Sequence, residues 1–311
     1  MARESVLINR PTAPTFRAMG HSDFQDAALV LIAHGSTANP DSAGPAYRHG
    51  DEIRQRGLFG EVIEAFWKQE PSVAGVMRGV FARRVFLVPL FIAEGWFTEQ
   101  VIPQSLGLRH PGAPSFARVQ PRLDQLLHYC DPVGSHPSMT EVLKARARDV
   151  VERHPFPRAP KPGDTTLFIA GHGTSYARGS RDAIERQVAL IRETGVYADV
   201  LPLFLEEPPL IHECWKQSTT KNLVVVPYFI SDGLHTQEDI PIMLGEPEAM
   251  VRGRLAAGQP TWRNPTERHG KRLWLSGAVG TEPLLVDVIM ERVREAAAGA
   301  AQGRSSPSTG A

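Results

Sequence analysis

The chain carries the same pattern twice. ALVLIAHGST at residues 28–37 returns as TLFIAGHGTS at 166–175, and from His34 to His172 is 138 positions. VFLVPLFIAEG returns as LVVVPYFISDG, with Pro89 and Pro227 again 138 apart. AEGWFTEQVIP (93–103) returns as SDGLHTQEDIP (231–241) in the same register. EAFWKQEP pairs with LPLFLEEP from Pro71 to Pro208, a spacing of 137 that implies a one-residue gap. DPVGSHPSMTEVLKARA pairs with GAVGTEPLLVDVIMERV, and Gly134 to Gly280 is 146, so the second copy carries an insertion, placed at Glu246 to Arg272. Matches in one order at nearly one spacing mark an internal duplication. Such a chain folds as two copies of one unit, here 27–153 and 165–297. The Pro-rich HPFPRAPKPGD at 154–164 links them.

Each copy reads as alternating strand and helix. ALVLIA, VFLVPLFI, TLFIA and LVVVPYFI are short apolar runs of the buried-strand type, with EVIEAFW and ADVLPLFL as weaker strands. SMTEVLKARARDVVE and LLVDVIMERVREAAA have helical spacing, and SRDAIERQVALIRETG is an amphipathic helix closed by Gly195. The expected class is α/β: two similar lobes, each a parallel sheet flanked by helices, related by an approximate twofold axis. Ligands of such sheets bind beyond the carboxyl ends of the strands, where HGS, HGT and SDGLHTQEDIP fall. Residues 1–26 lack the apolar stretch of a signal peptide, and 298–311 are small and polar; both are expected to be disordered.

His172 and His235 each follow a buried strand next to a glycine. Alone, either would be a loop histidine bonded to backbone. As a pair at adjacent strand ends they can face one cleft and offer imidazole nitrogen to a divalent metal. Glu207 follows the strand DVLPLFL and is a candidate third ligand or proton acceptor, with Glu206 beside it as a competitor. Asp239 either orients His235 or caps the next segment. In the first copy Phe97 stands at the position of His235, leaving His34 without a partner. Phe91, Trp96 and Phe97 are then either ordinary packing or a wall against which a flat ligand stacks.

Composition removes several classes of function. Lys+Arg and Asp+Glu balance at 34 each, which argues against a protein built to hold nucleic acid or a membrane surface. No apolar run approaches a membrane span. Cys130 and Cys214 form no C-x-x-C pair and are expected to be small buried residues in a reducing cytoplasm. A hydrolase would need a G-x-S-x-G elbow and an ATP-driven enzyme a G-x-x-x-x-G-K-[ST] loop; neither occurs. The insertion holds Arg252, Arg254, Arg263, Arg268, Lys271 and Arg272 with Glu267, either a solvated loop or a grip for carboxylates.

The strands ending in HGS and HGT, the EP after the next strand, VVPYFISDGLHTQEDIP and GAVGTEP resemble the class II tetrapyrrole chelatases, in particular the CbiX-like sirohydrochlorin cobaltochelatases. The likeness covers nearly all of both copies. It implies two lobes of parallel sheet around an open cleft. It also implies ATP-independent insertion of a divalent metal, cobalt or else nickel or iron, into sirohydrochlorin or a related ring. The metal is then a substrate, and no permanently bound cofactor is expected. On that likeness His172, His235 and Glu207 are expected to take the metal-binding and catalytic roles; with a flat, carboxylate-rich ring as substrate, Arg178, Arg181, Trp96, Phe97, Arg263 and Arg268 are expected to face it. Long CbiX-like chains often keep the histidine pair in the first copy, whereas here it is complete in the second. With both lobes in one chain, a cytoplasmic monomer is expected, with neither nucleic acid nor membrane as partner.

Overall fold

The computed structural model describes residues 24–37, 40–173 and 178–304. In the first half β1 (Ala27–Ala33), β2 (Glu61–Phe66), β3 (Arg84–Pro89), β4 (Val119–Arg122) and β5 (Gln125–Tyr129) form a sheet in the order β2-β1-β3-β5-β4. In the second half β6 (Thr165–Gly171), β7 (Asp199–Phe204), β8 (Asn222–Pro227), β9 (Thr266–Arg268) and β10 (Lys271–Leu275) repeat it as β7-β6-β8-β10-β9. Neighbours are parallel except in the edge hairpins β4–β5 and β9–β10. Every residue of β1 and β6 is buried, as expected for central parallel strands covered on both faces.

The helices are α1 (Gly44–Gln55), α2 (Val73–Val76), α3 (Ile102–Ser105), α4 (Met139–Arg153), α5 (Gly179–Glu193), α6 (Cys214–Gln217), α7 (Ile240–Met243), α8 (Glu248–Ala256) and α9 (Leu285–Arg304). The short α2 and α3, and α6 and α7, cover the outer faces of their own sheets, against alternate residues such as Val30 and Phe168. Each inner face is covered by one helix of its own half, α1 or α5, and by one exchanged from the other half. The long helix α4, which ends the first half, packs on β8 and β10 of the second, and α9, which ends the second, packs on β3 and β5 of the first. One apolar cluster therefore runs through both halves, from Leu29, Leu31 and Phe86 through Val142, Val286 and Ile289 to Leu167 and Val226. Truncating a fully buried member such as Ile289 to alanine costs about 2–5 kcal/mol.

Polar clasps repeat the exchange. Arg146 on α4 donates to the Thr281 hydroxyl and lies 3.5 Å from Glu282, whereas Arg292 on α9 donates to Pro132 O at 2.9 Å and to Ser135 Oγ at 2.9 Å. His49 on α1 bonds Gly280 O at 2.7 Å, and Gln187 on α5, 138 positions later, donates to His136 O at 2.9 Å. The linker is pinned as well, because fully buried Trp274 donates Nε1 to His154 O at 2.8 Å.

Three sequence expectations change. Helix α9 continues to Arg304, so 298–304 are helical; 305–311 lie outside the described residues. Residues 1–23 also lie outside them, but Phe24 stacks on Phe59 at 5.2 Å and Asp26 pairs with Arg84, so the first lobe starts before residue 27. The insertion is shorter than Glu246–Arg272. The hairpin turns align Leu123 (φ 56°) with His269 (φ 52°), an offset of 146 against 138 upstream, which leaves 146 − 138 = 8 added residues. Helix α8 stands there, where the first half has irregular chain, and the basic hairpin after it belongs to both halves.

Candidate functional site

β6 and β8 are neighbours, and the chain leaving each carries one histidine over the carboxyl edge of the sheet. His172 leaves β6 directly. His235 sits in a π-helical turn, His235–Asp239, in which the Ile240 N–H bonds to the His235 carbonyl five residues back. Such single π turns concentrate at functional sites. The two rings meet edge to face with centroids 5.0 Å apart and planes at 88°. His172 Nδ1 lies 3.1 Å from Gly173 O, and a carbonyl only accepts, so Nδ1 carries the proton and Nε2 keeps its lone pair. His235 Nδ1 donates to Asp239 Oδ2 at 2.6 Å, which likewise frees its Nε2. A carboxylate behind a ligating imidazole fixes its tautomer and raises its basicity.

The carboxylates sort differently from the sequence expectation. Glu206 Oε1 lies 3.6 Å from His172 Nε2. Two atoms that each bind one cation at about 2.0–2.2 Å can stand that far apart. Glu207 is turned away, with Oε2 held by Arg181 at 3.0 Å. It packs beneath Gly173 (φ 61°), where a Cβ would fall 2.9 Å from its Cγ. Glu207 Oε1 is buried without a hydrogen-bond partner, and Glu206 is the carboxylate found beside the histidine. Among the described residues no three His, Cys, Asp or Glu side chains form a ready-made metal cluster. The site is two imidazoles with an exposed carboxylate beside them.

Backbone pairing also removes the one-residue gap. Phe66 N bonds Pro71 O and Phe204 N bonds Pro209 O, both at 2.9 Å and 138 apart. Gln69 packs under Gly35 (φ 66°) as Glu207 packs under Gly173. Glu207 therefore corresponds to Gln69, and Glu206 to Lys68. Lys68 N bonds His34 O as Glu206 N bonds His172 O, at 2.9 and 3.2 Å. The first-half counterpart of the site is His34, Lys68 and Phe97, with His34 edge-on to Phe97 at 5.1 Å and 84°.

The two half-sites face each other across a cleft of about 1000 Å³ lined by both lobes. Its walls include Phe91, Ile92, Phe97, Phe229 and Ile230, with His34, His172 and His235 among the polar groups.

The CbiX family profile matches this sequence twice, over residues 28–150 and 166–296. The chain belongs to the CbiX family. It is similar to a probable sirohydrochlorin cobaltochelatase of Halobacterium salinarum, at 42% identity over 281 residues covering 87% of this chain and 92% of the relative. Its fold is similar to that of DR2241 from Deinococcus radiodurans, a multi-domain protein with structural similarity to chelatases, with a TM-score of 0.69 and 29% identity. That match covers 86% of this chain and 54% of the other, so this chain spans about half of DR2241. It also shares the fold of SirB from Bacillus subtilis, solved with Fe3+, at a TM-score of 0.59 and 19% identity over 89% of this chain and 97% of SirB.

The predicted ring contacts of this CbiX-family enzyme separate into near and far. Phe97 lines the cleft; Trp96, 60% exposed, stands edge-on to it at 5.0 Å. Arg181 lies over the Phe204 ring at 4.7 Å, occupied by Glu185 and Glu207. Arg178 is exposed at the start of α5, beside residues 174–177, which lie outside the described residues. The cations expected as a carboxylate grip are elsewhere. β10 runs parallel to β8, so the turn joining β9 to β10 sits at the amino edge of the sheet, opposite the histidines. Arg268 pairs there with Glu246, Lys271 donates to the Trp215 carbonyl at 2.6 Å, and Arg272 pairs with Glu267. Arg252 and Arg254 are bound to Glu238, Glu248 and Glu246, and Arg263 is exposed ahead of β9. What the sequence reading passed over is Lys68, the one Lys or Arg among the described residues lining the cleft. An ungapped offset of 138 would have exposed it.

Cys130 and Cys214 are buried and distant in role from this site, and burial pushes the Cys214 thiol up to about 12. No helix among the described residues is long and apolar enough to cross a membrane.

Proposed function

We propose that this chelatase inserts a divalent metal, cobalt foremost, into sirohydrochlorin or a closely related tetrapyrrole without ATP. One observation carries the reading: two imidazoles at right angles, each with Nδ1 occupied and Nε2 free, at the mouth of a cleft with aromatic walls. The name of the Halobacterium relative supports the substrate and the metal.

The reaction exchanges two pyrrole N–H protons for one divalent cation, so it needs a loosely held metal, an apolar berth for the ring and proton acceptors. His172 and His235 offer the cation two nitrogen ligands and leave its other positions open for exchange. Glu206 sits within reach of both the cation and a departing proton, as a carboxylate suited to general-base work. Phe91, Phe97 and Phe229 give the ring an apolar face to lie against. The two lobes supply both walls of the cleft from one chain, so a cytoplasmic monomer is the expected active unit.

The test is anaerobic insertion of Co2+, Ni2+ and Fe2+ in turn, followed by absorbance, with purified protein, sirohydrochlorin and no nucleotide. Cobalt should go in fastest. Ring binding without insertion for any of the three would make the protein a carrier, and a strict need for ATP would overturn the mechanism.

A further inference from the structure

Among the lining of the cleft, Lys68 is out of place for a site whose business is a cation. It occupies the backbone position that Glu206 holds in the second lobe, on the same kind of bond to the preceding histidine's carbonyl. An acid in one half has become a base in the other. Lys68 is exposed, and no acidic side chain among the described residues pairs with it. Ion pairs occupy Arg181, Arg252, Arg254, Arg268 and Arg272, whereas Lys68 carries its ammonium in the lining of the cleft itself.

Lys68 cannot be a metal ligand in its charged state, because an ammonium has three donors and no lone pair. It repels a divalent ion from the His34 half, so only one half of the cleft is fit for metal. What it attracts is an anion. The same cleft offers the unpartnered Ser42 hydroxyl and the imidazole of His34, while Phe97 closes the apolar side. His34 Nδ1 is engaged with Gly35 O at 2.8 Å, so its Nε2 remains available.

We infer that Lys68 anchors a peripheral carboxylate of the tetrapyrrole, making the first lobe the half that recognises and orients the ring while the second lobe delivers the metal. The inference rests on the tetrapyrrole reading above. It adds a division of labour: a ring whose acidic rim is pinned on Lys68 presents its nitrogens toward His172 and His235. The ammonium–carboxylate contact forms on binding and persists through insertion, so it is uniform binding energy that appears in KM.

The experiment compares wild type with Lys68→Arg, Lys68→Gln and Lys68→Glu, each first checked for an unchanged melting temperature. Three quantities are read: metal-free sirohydrochlorin binding by fluorescence quenching, Co2+ binding by calorimetry, and insertion kinetics over a salt series. Lys68→Gln should raise KM about five- to tenfold, the scale of one lost charge-assisted hydrogen bond, with kcat nearly constant. Lys68→Glu should raise it further, and Lys68→Arg should restore it. The wild-type KM should rise with salt and the Gln variant's should rise less. Co2+ affinity should not fall in any variant. A Lys68→Glu protein with wild-type ring affinity and KM overturns the anchor, whereas a wild type that inserts no metal overturns the function itself. A fall in kcat with unchanged ring binding would make Lys68 a participant in the chemistry and also defeats the anchor.

Discussion

In the second lobe His172 meets His235 edge to face at 5.0 Å and 88°; in the first, His34 meets Phe97 at 5.1 Å and 84°. Behind them Phe229 lies 5.9 Å from His235 and Phe91 lies 6.0 Å from Phe97. Both turns are π-helical, both glycines adopt left-handed φ, and both histidines give Nδ1 to the next carbonyl. The scaffold is equal to within tenths of an ångström in ring spacing, and the chemistry is not. His235, Glu206 and Asp239 are answered by Phe97, Lys68 and Val101. A histidine pair flanked by carboxylates and an aromatic face flanked by a lysine are thus built on one backbone by changing three side chains, because the strands and turns that aim them are fixed by packing elsewhere.

The largest consequence concerns the histidines. His172→Ala and His235→Ala should each lower kcat/KM at least about 100-fold, the upper range for losing even an outer partner of a metal ligand. His34→Ala should stay within about threefold, since a single neutral imidazole is a poor metal site. Steady-state insertion kinetics measure all three, and an equal loss at His34 would break the comparison. The converse is a gain. Giving the first lobe the second lobe's chemistry, by Lys68→Glu with Phe97→His, should raise Co2+ stoichiometry from about one to about two per chain. Calorimetry or metal analysis after dialysis reads the number. No second ion in a folded double variant would mean that the two backbones are less alike than their ring geometry implies.

How much of this was legible beforehand follows from what a sequence pattern can encode. The apolar runs named β1, β3, β6 and β8, and the repeat spacing put His172 and His235 at adjacent strand ends, because burial and register are local properties. The destination of α4 and α9 was not legible: an apolar stripe says that a face is buried, not on whose sheet. The register around the carboxylates was hidden for a different reason. The matching EP strings put Glu207 opposite Glu70, whereas the bonds Phe66 N to Pro71 O and Phe204 N to Pro209 O put it opposite Gln69. The basic stretch misled because charge in a sequence carries no direction, and β10 sends most of it to the far edge of the sheet.

Asp239 sharpens the comparison on a smaller scale. Its carboxylate accepts the His235 Nδ1–H at 2.6 Å, while Val101 has nothing to offer Phe97. Asp239→Asn should weaken Co2+ binding and insertion about 10- to 100-fold by losing the charge that holds the imidazole's tautomer. The side chain is half exposed, so the melting temperature should hold. Loss of stability together with activity would make Asp239 a cap for the π turn instead.

The smallest effect lies at the seam between the lobes, where His49 and Gln187 are counterparts. Burial, reinforced by Arg48 and Arg146 and opposed by the Gly280 carbonyl and Glu52, lowers His49 to about 4. In the unfolded chain it titrates near 6.5, so between these values the unfolded state binds the extra proton and stability falls as pH falls. At pH 5.5 the loss is on the order of 1 kcal/mol, and well above 6.5 it vanishes. Gln187 makes the matching bond to His136 O at 2.9 Å without titrating. His49→Gln should therefore keep the seam closed at pH 7.5 and flatten the acid limb of the stability curve, measured by urea melts at half-unit steps. In a chain this long the gain at pH 5.5 amounts to a few degrees in Tm. An unchanged acid limb would place the acid sensitivity in groups other than His49 and would leave His49 as packing alone.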